Sequence, residues 1–153
     1  MAVAADTGQA RRTDRFGRAG TRALVVAGAV LVTALVWVVG EPLLGHDLVV
    51  TSPGQPAMDL GLAEIAFVAL ASSLVGWAAL AVLERVTRYA IPIWTVAALV
   101  VLAVSFAPFA GVQASTGSKI VLALTHVTVA AVLIPGLWRT GTRRTAATPA
   151  RPE

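Results

Sequence analysis

Four long apolar runs, separated by short polar stretches, dominate the chain: Ala23 to Val39, Gly61 to Leu83, Ile91 to Phe109 and Ile120 to Trp138. Each is roughly 17 to 23 residues long, enough at 1.5 Å per residue to cross a hydrocarbon layer of about 30 Å as a helix. Three runs carry no formal charge, and the second carries only Glu64, near its start. A soluble helical bundle would keep a polar face on every helix, whereas these runs are apolar all round. Membrane strands need only about 9 to 11 residues, and four of them cannot close a barrel. The pattern predicts an all-α, four-transmembrane-helix bundle over residues 23–138. Its spans are at 23–39, 61–83, 91–109 and 120–138, and its longest loop is 40–60.

Charge orients this bundle. Arg11, Arg12, Arg15, Arg18 and Arg22 precede the first span, Arg85 and Arg88 link the second to the third, and Arg139, Arg143, Arg144 and Arg151 follow the fourth. In a four-span chain all of these fall on one side. The other side keeps Lys119, with Glu41, Asp47 and Asp59. The positive-inside rule makes the arginine side cytoplasmic, so both termini are expected there, in a multi-pass protein of the plasma (inner) membrane. Arg18 to Arg22 extend the short first span as a snorkelling inner end. Residues 1–22 and 139–153 are polar and basic, and read as disordered cytoplasmic segments. The arginines serve topology and contact with anionic lipid; no aromatic or motif context accompanies them, so no nucleic-acid partner is expected.

Composition agrees, with 57% hydrophobic and 13% charged residues among 153. Trp37, Tyr89, Trp94, Phe109 and Trp138 fall near span ends, as interfacial aromatic belts require, while Trp77 lies deeper as a packing residue. Pro92 sits in the first turn of span three, where its missing N–H costs nothing. Pro108 closes that span, and Pro135 is expected to kink span four or end it early. The first run is longer than a signal-peptide core and lacks a small-x-small cleavage site, so it reads as an uncleaved anchor. The chain has no cysteine, which removes disulfides and thiolate chemistry.

Few residues are candidates for chemistry. Glu41, His46 and Asp47 are metal-capable types within seven positions, but without a fourth ligand they read as a solvated loop, and neither metal nor cofactor is expected. Leu48 to Thr51 suit a short extended stretch over the bundle mouth. Glu64 lies about 4 to 5 Å below the outer end of span two, and His126 about 9 Å below that of span four. Lys119, Ala123, His126 and Ala130 share one stripe, and Glu64, Ala71 and Ala78 another, with Thr95, Ala98 and Ser105 on span three. Small residues beside a polar one predict that these stripes face neighbouring helices. Ser72 and Gly76 form a small-xxx-small pair. Glu64 and His126 are thus a possible intramembrane polar pair for proton movement or pH sensing. The plainer reading has Glu64 favouring its helix N-terminus and His126 neutral and hydrogen-bonded to a neighbour, with Glu64, Ser105 and Thr95 as candidates. No catalytic triad or carboxylate pair can be assembled, so the chain is not expected to be an enzyme.

The stretches EPLLGHDLVV, GLAEIAFVALASSLVGWAALAVLERVTR and LALTHVTVAAVLIPGL resemble a family of small four-helix membrane proteins from actinobacteria, catalogued as a domain of unknown function. The pieces that carry the resemblance are His126, Ile134 to Leu137, and Leu83 to Arg85, within about residues 20 to 139. The resemblance implies four spans and an actinobacterial plasma membrane, and brings no activity. Two functions fit: a non-enzymatic accessory protein packing against another membrane protein or itself within the lipid bilayer, or a subunit of an oligomeric transporter or channel using Glu64 and His126.

Overall fold

The structure, a computed structural model, describes the backbone of residues 3–111 and 113–141, and the side chains of 17–109, 111 and 113–141. Its main elements are four helices: α1 (Val3–Val38), α2 (Leu62–Val86), α3 (Ala90–Ser105) and α4 (Thr116–Thr140). A π-helical turn, Val39–Leu43, extends α1, and a 3-10 turn, Ala107–Ala110, follows α3. The segments Gly17–Leu43, Leu62–Val86, Ala90–Phe109 and Thr116–Thr140 are each long and apolar enough to cross a membrane. The helices run up and down. Each packs on its chain neighbours and α1 also packs on α4, so the square closes with Arg22 of α1 and Thr140 of α4 at one end of the bundle. That end is called here the terminal end, and the opposite one the loop end.

The spans extend beyond the apolar runs because arginine, glutamate and threonine at their ends have adequate helix propensity and tertiary partners. The backbone of residues 3–22, expected to be disordered, is instead helical and continuous with the first span. Ala, Arg and Gln in this stretch favour continuation of a helix already nucleated by the span. Likewise α4 runs through Thr140, and the rest of the expected disordered tail, from residue 142, lies outside the described residues. Pro135 does not end α4: its ring side is exposed, while Gly136, Leu137 and Thr140 after it pack inward. Tertiary contacts of that last turn hold the helix past the missing N–H.

Close approach of α1 and α4 gives the bundle its main seam. Among the described side chains, Arg22, Val26, Ala29, Thr33 and Gly40 are the buried residues of α1 and its π turn, at spacings of four, three, four and seven that fit a coiled-coil stripe. A Cβ on Gly40 would lie 2.6 Å from the Val121 side chain, and one on Gly136 would lie 2.5 Å from that of Val25. Small residues therefore set the interhelical distance, as expected where no hydrophobic driving force separates helix from lipid. On α2 the buried residues are Ala69, Ser73 and Leu80. Glu64 and Ala78 point outward and Ala71 is half-buried, so the expected inward stripe is displaced by part of a helical turn.

Trp94 also departs from its expected place. Depth alone placed it in an interfacial belt, but it is buried in the core, and its Nε1–H donates to the Gly76 carbonyl at 2.8 Å. It faces inward because it lies one turn after the buried Ala90. The small residue Gly76 leaves room for the indole, with 3.7 Å to a Cβ placed there. Trp77 packs beside the same cluster, as expected. Tyr89 and Trp138 do lie exposed at the terminal end. The Arg88 guanidinium sits 4.7 Å over the Tyr89 ring and donates to its hydroxyl. Trp37 at the loop end donates to the Leu60 carbonyl at 3.1 Å.

The loop end is capped. Strand β1 (Val49–Val50) pairs antiparallel with β2 (Met58–Asp59), and Thr51 bridges to Gln113 of the α3–α4 connection. Ser52, Pro53, Gly54 and Gln55 make the turn, with Gln55 N–H donating to Ser52 O and Gly54 at φ +76°. Proline second and glycine third is the composition of a type II turn. Leu48, fully buried, fills the mouth against Val121 and Leu122. Pro42, which offers no N–H, coincides with the widened π turn, where Leu44 N–H reaches back to Val39 O.

Candidate functional site

The ionisable residues within the bundle collect at its two ends. At the terminal end, Arg22 is 6% exposed and its guanidinium grips three groups on two other helices. Its Nη2 donates to Glu84 Oε1 at 2.7 Å and its Nη1 to Oε2 at 3.1 Å, a two-pronged ion pair between α1 and α2. Its Nε donates to Thr140 Oγ1 at 3.1 Å, and Nη2 also to the Thr140 carbonyl at 3.1 Å, which reaches α4. Only arginine has the planar fork for this arrangement. Glu84 occupies the last turn of α2, where a helix dipole disfavours an acid. The guanidinium compensates it and also satisfies the last carbonyl of α4.

This clamp was missed from the sequence. In the sequence, topology alone accounts for Arg22, and Glu84 figures only within the Leu83 to Arg85 resemblance. The available signal was an acid placed among arginines, at the wrong end of its helix for the dipole and just inside a span.

At the loop end, the sequence candidates are placed apart. Glu64 is exposed in the first turn of α2, its carboxylate folded back over Gly61, the residue before the helix. A negative charge is favoured there. His126 is half-buried on α4, and its Nδ1 lies 2.7 Å from the Leu122 carbonyl of its own helix. A carbonyl only accepts, so Nδ1 carries a proton. The ring packs against Phe106 and Phe109, with centroids 5.9 Å and 5.7 Å away, on the α3 side of the bundle. Neither Glu64, Ser105 nor Thr95 bonds to it: the two hydroxyls donate to Leu102 O and Ile91 O of their own helix. The expected interhelical hydrogen bond is replaced by a bond one turn back along α4, which satisfies the ring locally. Lys119, on the same stripe, reaches the Phe109 carbonyl at 3.4 Å. Replacing His126 by Phe should accordingly change stability by less than about 1 kcal/mol, as ring packing survives and a single membrane hydrogen bond averages about 0.6 kcal/mol. Thermal unfolding of the purified variant in detergent measures it.

The loop residues Glu41, His46 and Asp47 also separate. Glu41 lies in the π turn with Oε2 buried and unpartnered among the described residues. The His46 ring rests on Gly117, where a Cβ would come within 2.5 Å of it, and Asp47 is exposed. Among the described residues no three His, Asp or Glu side chains converge as a metal set would. Ser118 Oγ donates to the Asp47 carbonyl at 2.8 Å, and Ser115 caps α4 by accepting from Ser118 N–H, so the loop is tied to the start of α4.

Between the two ends the interior is apolar, with its hydroxyls satisfied locally. Thr33 donates to Ala29 O, Ser73 to Ala69 O and Thr125 to Leu122 O, each within its own helix. Val26, Ala29, Leu80, Trp94, Leu133 and Leu137 form the core there. No curated protein and no solved structure matches the chain. A family model does match residues 13–143, a stretch that includes Arg22, Glu84, Thr140, Glu64 and His126, and on that match the chain belongs to the Family of unknown function (DUF6069).

Proposed function

We propose that this is a non-enzymatic accessory protein of the plasma membrane, with both termini cytoplasmic, which packs against another membrane protein. The observation that carries it is the use made of the buried Arg22–Glu84 ion pair: Arg22 binds Glu84 of α2 and Thr140 of α4, and so ties three helices together. The apolar interior between the ends supports the same reading, because ion-conducting helices ordinarily line their route with polar or ionisable groups. Glu64 and His126, the groups a transporter subunit would use, are engaged separately, one at a helix N-terminus and one with its own backbone. Orientation rests on the positive-inside rule, since the terminal end carries Arg18, Arg22, Arg85, Arg88 and Arg139.

The test pairs two measurements. Affinity purification of the full chain from its native membranes, solubilised in mild detergent, should recover a stoichiometric membrane-protein partner. The purified chain in phosphatidylcholine vesicles should leave proton and potassium flux at the level of empty vesicles. Flux that depends on Glu64 and His126 would overturn the proposal.

A further inference from the structure

We draw no further inference here: the strongest candidate, the belt of exposed arginines Arg85, Arg88 and Arg139 around the terminal end of the bundle, restates the positive-inside charge bias already described, and nothing in the structure shows what covers it.

Discussion

Glu84→Ala should cost about 3 to 5 kcal/mol of bundle stability, the largest single effect expected of any charged residue here. The substitution leaves the Arg22 guanidinium, 6% exposed, without its carboxylate partner among three helix ends. A guanidinium cannot neutralise itself by losing a proton at accessible pH, so the penalty falls on the folded state. Arg22→Ala leaves the complementary problem, an acid in the last turn of α2. Removing both partners together with apolar residues of similar volume, Arg22→Met with Glu84→Leu, should recover most of the loss, because replacing an entire buried pair is often nearly neutral. Unfolding of Arg22→Met, Glu84→Leu and their double variant in mixed detergent gives the coupling energy directly. Additive single and double losses would show that the pair is not coupled. Arg22→Lys should rescue poorly, since an ammonium cannot reproduce the fork that reaches Glu84 and Thr140 at once.

Gly136→Ala and Gly40→Ala should each destabilise the bundle by about 1 to 3 kcal/mol, against the usual trend for a helix. In an open helix, exchanging glycine for alanine gains up to about 1 kcal/mol from propensity. At these two positions the new methyl would lie 2.5 Å from a Val25 methyl and 2.6 Å from a Val121 methyl. Valine is branched at Cβ and has little freedom to turn away, so the helices must separate. Gly28→Ala is the internal control, because the nearest atom there, on Val132, lies 4.0 Å away and the propensity gain stands. Val25→Ala combined with Gly136→Ala should restore most of the stability lost. A Gly136→Ala protein as stable as Gly28→Ala would mean that α1 and α4 do not approach this closely.

The parts of this fold that were legible in the sequence depend on bulk properties. Run length locates the spans from Leu62, Ala90 and Thr116 to within about one turn, because bilayer thickness leaves little choice of helix length. The extended stretch after Leu48 was readable too, since Pro53 and Gly54 demand a turn. What was not legible depends on helix rotation. Sequence position gives the depth of Trp94 and Glu64, and depth does not say which face of a helix a side chain occupies. In apolar helices the buried and lipid-facing stripes have nearly the same composition, so periodicity gives weak guidance. The stripe containing Ala69, Ser73 and Leu80 is hard to separate by residue type from that of Glu64, Ala71 and Ala78. His126 found its partner in Leu122 O, a bond within reach of a residue on its own helix and invisible to any search for a partner on another. The Arg22 clamp is masked by a competing explanation: positive-inside bias accounts for an arginine before a span without requiring it to have a partner.

The central claim is a four-span bundle with its terminal end in the cytoplasm, and single-cysteine labelling in intact cells tests it most directly. The chain contains no cysteine, so each introduced thiol reports alone. Ser52→Cys, in the exposed turn of the loop end, should react with a membrane-impermeant maleimide added outside. Tyr89→Cys, exposed between α2 and α3, should react only after the membrane is opened. Labelling of Tyr89→Cys in intact cells with protection of Ser52→Cys would invert the orientation, and labelling of both from outside would contradict four spans.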